Sequence, residues 1–389
     1  MTRAVLTLNA GSSSLKVALF PEAGDRPLAT GIADRIGPQA VLMVTDETGT
    51  PLQAQGDLTT HAGAIGAIID GIRARWPDLD LAAIGHRVVH GGPARRRPEV
   101  VTEALLAELV TLSPFAPLHQ PHNLAGIRAA MTAFEGVPQV ACFDTAFHRS
   151  QTRGEDCYAL PRALYDEGVR RYGFHGLSYQ SVFETLLHLS PKLAAGRVVI
   201  AHLGNGASLC AIRNGRSVAT TMGFSTLDGL AMGSRCGQID PGVLLYLIGQ
   251  KGLSLTELSD VLYKRSGLLG LSGISNDMRA LEAAGTPEAA EAIEYFVRRC
   301  QRGIAEMAAA AAGIDALVFC GGIGENARKV RAAICAGLGW MGIDADADRN
   351  LANATVISPD GAEVAVMVVP TNEELVIAKA ARTVVGGSL

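Results

Sequence analysis

A short apolar run, a turn of small polar residues and a second apolar run occur twice in this chain, and that repetition constrains the fold more than any other feature. Residues 4–8 and 15–20 flank Asn9-Ala10-Gly11-Ser12-Ser13-Ser14; about two hundred positions later, residues 198–203 and 209–212 flank Gly204-Asn205-Gly206-Ala207-Ser208. Each reads as a β-hairpin, because short apolar runs joined by Gly, Asn and Ser are strand, turn and strand. Recurrence at this distance predicts a duplicated architecture. With 389 residues, the chain is long enough for two domains that each bury a core.

Helical periodicity covers residues 62–75, 103–112, 177–189 and 288–312, alternating with apolar strand candidates at 84–89, 139–143 and 316–320. The fold class is therefore α/β. Pro114, Pro117 and Pro121 break regular structure before a further helix over 122–131. The aperiodic polar stretch 149–171 places a boundary between about 145 and 200. It separates an N-terminal domain, residues 1–150, from a C-terminal one, residues 151–389, and leaves room for the last helix, 371–389, to return to the first.

Composition excludes several classes of function. The 34 Lys+Arg against 38 Asp+Glu, a net charge of -4, provide no general attraction for nucleic acid or an anionic membrane. Seven cysteines lie far apart without a CxxC pair, so neither a disulfide framework nor a zinc ribbon is indicated, and a reducing cytoplasm fits. The longest apolar stretch, 304–320, is interrupted by Glu306 and Asp315 and does not read as a membrane span. The opening apolar run is too short for a signal-peptide core.

The first turn, with Lys16 just beyond it, gathers hydroxyls, a Gly and an ammonium where backbone N–H groups can converge on a phosphate. It is not a Walker A loop. A Gly/Ser turn is by itself an ordinary hairpin connection, but its recurrence at 204–208 favours two phosphate-gripping turns bracketing a nucleotide. Gly321 to Ala327 follows a strand and opens a helix, so its amides face a ligand above the sheet. The GxGxxA spacing, with Asp344 about 20 positions on, also leaves a dinucleotide reading open. The order of the chain favours a nucleotide without the dinucleotide, because the two hairpins precede this unit.

Residues 86–92 read as strand, where Arg87 and Val89 share a face suited to the charge and the methyl of a small carboxylic acid. His86 and His90 then read as core residues rather than metal ligands, since no third ligand is near, and His119 with His122 likewise, since a proline-broken segment gives no fixed i, i+3 face. Asp144 stands at a predicted strand end, a usual place for active-site acids in α/β sheets. His175 and Arg235 are each flanked by glycines, which suits close approach to a ligand. Thr371, three residues before Glu374, reads as a capping box for the last helix.

Taken together, residues 9–16, 85–92, 143–147, 171–175, 202–206, 233–237, 321–326 and 371–374 resemble, in order, the motifs of the acetate kinase family, over nearly the whole chain. The resemblance implies the duplicated actin-like, ribonuclease-H-like fold with an interdomain nucleotide cleft. It also implies a homodimer and reversible magnesium-dependent phosphoryl transfer between ATP and acetate, with manganese as a substitute metal. Carried over, it puts Arg87 on the substrate carboxylate, with Val89, Leu118 and Thr226 lining the acid's pocket, and makes Asp144, His175 and Arg235 catalytic. Asn9 and Glu373 would serve the metal. Ser12, Ser14, Lys16, His202, Leu203, Gly204, Asn205, Gly206, Asp277, Met278, Arg279, Gly322, Ile323, Gly324, Glu325 and Asn326 would hold the nucleotide. A carboxylate nucleophile is already ionised at neutral pH, so Asp144 is expected to orient groups or magnesium rather than act as a base. Two departures stand out: Thr226 occupies a place where proline is common, which bears on acyl-chain choice, and Tyr179 replaces a histidine. The alternatives are a propionate or short-chain acyl kinase of the same family, and a non-catalytic actin-like nucleotide-binding assembly protein.

Overall fold

The computed structural model describes residues 2–11, 14–54, 56–117 and 119–387. Two compact units emerge, one from Met1–Arg149 with Asn372–Leu389 and the other from Ser150–Thr371.

The first unit is built on a seven-stranded sheet. Its strands are β1 (Thr2–Ala10), β2 (Ser14–Pro21), β3 (Ala29–Asp34), β4 (Val41–Asp46), β5 (Leu79–Val88), β6 (Glu99–Val100) and β7 (Gln139–Phe143), in the order β4-β3-β2-β1-β5-β7-β6. β1, β2 and β3 form an antiparallel meander, after which β5 and β7 add in parallel. Parallel additions need crossovers, and helices His61–Arg75 and Gln120–Ala133 lie in those connections. Thr60 caps the first of them by accepting from Gly63 N (3.1 Å). Its Ile65, Ile68, Ile69 and Ile72 then fall on one face and pack with Leu6, Leu8 and Leu19. Each such isoleucine contributes roughly 2–3 kcal/mol of burial. The last helix, Glu373–Val385, packs against β1 and β5. Gly85 makes that approach feasible, since a Cβ there would meet Ile377 Cγ2 at 2.4 Å.

The second unit repeats the pattern with β8 (Arg197–Leu203), β9 (Ala207–Arg213), β10 (Arg216–Thr220), β11 (Ala316–Cys320) and β12 (Ala365–Val368), in the order β10-β9-β8-β11-β12. Again three antiparallel strands are followed by two parallel ones. With the edge strands β4 and β6 set aside, both sheets have the same order, which is the duplicated ribonuclease-H-like arrangement expected from the two hairpins. Helix Pro287–Ala310 lays Phe296, Cys300, Ile304 and Met307 toward this sheet, and Gly303 admits Leu209, whose Cδ1 would lie 2.6 Å from a Cβ. The helix stops short of 312 because Ala312 turns to positive φ (61°), followed by Gly313.

The sequence expectations differ from the structure in a few places. Residues 149–171 contain two short helices, Arg153–Asp156 and Arg162–Asp166, rather than loop alone. The helix placed at 122–131 starts at Gln120, because Pro121 sits in its first turn, where its missing N–H costs nothing. The last helix is capped not by Thr371 but by Asn372, whose Oδ1 accepts from Leu375 N (3.0 Å). Thr371 N donates instead to the Glu325 carboxylate (3.2 Å).

Candidate active site

In the first unit the functional side chains come from three adjacent strand ends and the start of the last helix. Asn9 and Arg87 are the penultimate residues of β1 and β5, Asp144 follows β7, and Glu373 opens the final helix. Because β1, β5 and β7 are neighbours in parallel register, their carboxyl ends meet at one edge of the sheet. Arg87 Nη2 donates to Asp144 Oδ2 at 2.7 Å and its Nε reaches both carboxylate oxygens, at 3.2 and 3.1 Å. Nη1 donates to Asn9 Oδ1 (3.2 Å), and Asn9 Nδ2 donates to Glu373 Oε2 (3.1 Å) and Glu374 Oε1 (3.3 Å). The Asp144 side chain is 1% exposed and that of Arg87 19%. Burial works against the guanidinium's charge, yet Asp144, then Glu373, more than offset it and hold Arg87's pKa above its usual value. Three of five N–H groups are thus engaged. One on each Nη remains, the end-on fork a carboxylate accepts.

The remaining first-unit residues are placed as follows. Val89 is buried, but β5 ends at Val88, so strand alternation does not carry it to Arg87's face; its N–H donates to Asn123 Oδ1 (3.0 Å). Lys16 is exposed on β2, opposite Asn9 in the hairpin register. Ser14 begins β2 and its carbonyl accepts from Gly11 N (2.7 Å). Ser12 and Leu118 lie outside the described residues. His86, in β5, and His90, just beyond its end, are both core residues. Burial lowers their pKa values to about 4 and about 3, and His86 Nε2 pairs with Gln139 Oε1 (2.7 Å). Asn123, which the sequence did not single out, ties the site together by donating to Ala10 O (2.6 Å) while accepting from Val89 N. Its only sequence signal is a polar residue on the buried face of a helix.

In the second unit the hairpin turn between β8 and β9 is the centre of the site. A Cβ added at Gly206 would fall 2.8 Å from Arg235 Nη2 and 3.1 Å from His175 Nε2, so a guanidinium and an imidazole converge beside this turn. Arg235 is steadied by Nη1 donating to Thr226 O (2.8 Å). His175 adopts a left-handed backbone (φ 57°), a strained state that persists where surrounding structure demands it. Its ring stacks on His202 with centroids 4.2 Å apart, and Ser178 Oγ lies 2.7 Å from His202 Nδ1. Thr226 is buried.

A cavity of about 760 Å³ opens next to the turn, lined by Gly204, Asn205, Asp277, Met278, Arg279, Gly322, Ile323 and Asn326, with Asn276, Glu282 and Ala327. Three segments singled out for a nucleotide, far apart in sequence, therefore surround one volume large enough for a nucleoside. Asn276 and Glu282 were not found from the sequence; each borders Asp277–Arg279 but carries no motif. Leu203 and Gly324 are buried and do not line the cavity. The Glu325 carboxylate is turned to the backbone, accepting from Gly321 N (2.9 Å) and Thr371 N. Asp277 caps helix Met278–Ala284, and Arg279 beside it lowers its pKa.

Oxygen donors suited to magnesium are present in the first unit: two glutamate carboxylates approach one asparagine amide within 3.3 Å. Among the described residues no three His, Cys, Asp or Glu side chains form a metal cage.

The chain matches the model described as the acetokinase family over residues 4–379. It is 52% identical to the acetate kinase of Methylocella silvestris, covering 97% of both chains, and 46% identical to that of Rhodopseudomonas palustris, covering 97% of this chain and 98% of the relative. Among solved structures it resembles acetate kinase from Porphyromonas gingivalis (36% identity, TM-score 0.88, 98% and 99% coverage). A propionate kinase from Francisella tularensis is comparably similar (35% identity, TM-score 0.91, 98% and 100% coverage).

Proposed function

Because the chain belongs to the acetokinase family, we propose that it is an acetate kinase, which moves the γ-phosphoryl group of ATP to acetate, giving acetyl phosphate and ADP, and runs in reverse. The observation that carries this reading within the molecule is the convergence of Arg235 Nη2 and His175 Nε2 beside the Gly206 turn, at the edge of a nucleoside-sized cavity. Phosphoryl transfer asks for little covalent chemistry and much positioning of positive charge around three equatorial oxygens. Arg235 and His175 supply donors for those oxygens, while the 204–206, 277–279 and 322–326 segments hold the nucleoside and its phosphates.

Arg87 takes the acid through its end-on fork, and Asp144 sets the orientation of that fork by gripping Nε and Nη2. The acetate oxygen is anionic before it attacks, so no proton has to be removed and Asp144 stays ionised. Asp144→Asn is therefore expected to lower kcat/KM for acetate by roughly 10–100-fold through misorientation of Arg87. An unchanged value would remove Asp144 from the site. In-line displacement requires the acid held by Arg87 and the phosphoryl steadied by Arg235 to come within bonding reach. Asn9, Glu373 and Glu374 offer oxygen ligands that suit magnesium, which when bound would neutralise phosphate charge.

The wider assignments follow the same reading. Helix Pro241–Gly249 buries none of its residues and exposes Val243, Leu245 (72%), Tyr246 (50%) and Ile248 around its circumference, an apolar helix suited to being covered by a second copy of the chain in a homodimer. No helix among the described residues is long and apolar enough to cross a membrane, and no disulfide joins the cysteines. Both are compatible with the cytoplasm. Propionate is a second reading, supported by the Francisella relative and by Thr226 standing where the family commonly has proline. One methylene is worth about 1–3 kcal/mol in an apolar pocket, so the deciding experiment is kcat/KM for acetate, propionate and butyrate on purified protein. Acyl phosphate formed with none of the three acids would overturn the substrate, and ATP binding with no product at all would overturn the enzyme.

A further inference from the structure

Helix Gly176–Leu189 places Tyr179 one turn beyond His175, and both side chains meet the same residue of β9. Ser208 Oγ lies 2.8 Å from His175 Nδ1 and 2.5 Å from the Tyr179 hydroxyl. Tyr179 and Ser208 are both fully buried. One imidazole nitrogen is therefore engaged by a buried hydroxyl chain, while the other, Nε2, converges with Arg235 beside Gly206.

We propose that Tyr179 and Ser208 are positioning residues that set the proton of His175: the Tyr179 hydroxyl donates to Ser208 Oγ, the Ser208 hydroxyl donates to His175 Nδ1, and the ring proton is left on Nε2, where it donates to the transferring phosphoryl. This rests on the phosphotransferase reading of the site and names how one of its groups is prepared. The opposite chain of bonds would put the proton on Nδ1 and turn a lone pair of Nε2 toward an anion, which repels. A guanidinium already converges on the same spot, so a second cation there is costly and a neutral imidazole with its proton on Nε2 is the donor that fits. Burial, assisted by neighbouring Cys210 and Cys320, raises the Tyr179 pKa and keeps the phenol protonated as a donor. The titratable groups facing this assembly are His202, stacked on the ring, Arg235 at Nε2, and Cys210 and Cys320 around the phenol. A hydroxyl relay needs no ionisation of its own, and it fixes both the ring's rotamer and its tautomer.

The test has two arms. In wild-type protein selectively labelled with 15N-histidine, the His175 signal, assigned by its loss in His175→Gln, should report the Nε2–H tautomer. An Nδ1–H signal overturns the relay. In Tyr179→Phe, kcat should fall roughly 3–10-fold at pH 8, the worth of one lost hydrogen bond in orientation, with KM for ATP and acetate held within about twofold. In Tyr179→Phe the His175 15N signal should also shift toward the Nδ1–H tautomer, because Ser208 then loses the donor that fixes the direction of its own hydroxyl. Ser208→Ala should lower kcat similarly, and the double variant should lose no more than the worse single one. An unchanged kcat, or an unchanged His175 signal in Tyr179→Phe, overturns the proposal. Should the wild type form no acyl phosphate while the 15N signal reads Nε2–H, the relay stands and the enzymatic reading falls.

Discussion

The two units share a strand order yet hold their arginines in opposite ways. In the first, Arg87 is locked to Asp144 and Asn9, with Glu373 and Glu374 behind, so a cation sits among carboxylates. In the second, Arg235 is steadied by the neutral carbonyl of Thr226, and His175 by a hydroxyl. The difference teaches that one topology serves two electrostatic tasks. In the proposed reaction the carboxylates would aim the first guanidinium at a monoanionic acid and offer oxygen ligands to a metal. The second guanidinium, held through the Thr226 carbonyl, would serve a phosphoryl group carrying several negative oxygens.

The same substitution in each unit tests this contrast. Arg235→Ala is expected to produce the largest effect, a fall in kcat of roughly 10²–10³-fold, because a positive donor aimed at the transferring phosphoryl is lost. A tenfold effect or less would dissolve the assigned asymmetry. Arg87→Ala should instead damage both function and folding. It should raise the KM for acetate and cost about 3–5 kcal/mol of stability, read by denaturant unfolding, because the buried Asp144 carboxylate loses the guanidinium charge that offsets its own.

The units should also part company in acid. His86 and His90, both in the first unit, have folded pKa values of about 4 and about 3, below the roughly 6.5 of an unfolded chain. A folded state that binds fewer protons is stable above the unfolded pKa and loses that advantage as pH falls toward the folded one. Stability should be full above about pH 6.5 and decline from there to pH 4, by roughly 2 kcal/mol per histidine at pH 5. Amide exchange at pH 5 should accelerate in β5 before β8, and His86→Gln should flatten the slope. The smallest expected effect belongs to Thr226→Ala, which should alter the propionate-to-acetate preference by less than about tenfold. No change would take its side chain out of the acid's surroundings.

Much of the fold was legible because burial writes its period into sequence. The β1–β2 and β8–β9 hairpins, β7 and β11, and the helices beginning near 61, 176 and 287 all lie where apolar spacing puts them, within one to two residues of their observed starts. The edge strand β4 was not legible: its burial alternates weakly and Met43 is 61% exposed, so core packing left little mark on it. Thr371 was misread as a cap because Asn372 and Thr371 both suit the role, and the choice fell to the Glu325 carboxylate that claims the Thr371 amide.

The site divides along the same line. Glycine-flanked His175 and Arg235 announced close approach, but their meeting beside Gly206 depends on β9 and on the loop carrying Thr226, which no local pattern specifies. Asn123, Asn276 and Glu282 gave no signal, since their partners lie on distant segments. Sequence alone determined the duplicated hairpins, the helical faces and the residue types from which a phosphate site is made, because these follow from local geometry and from the burial of apolar side chains. Tertiary structure alone decided that Arg87 is gripped by Asp144 and Asn9, and that Ser208 stands between Tyr179 and His175. Hydrogen bonds between segments far apart in sequence depend on distances of a few tenths of an ångström, which only the closed fold sets.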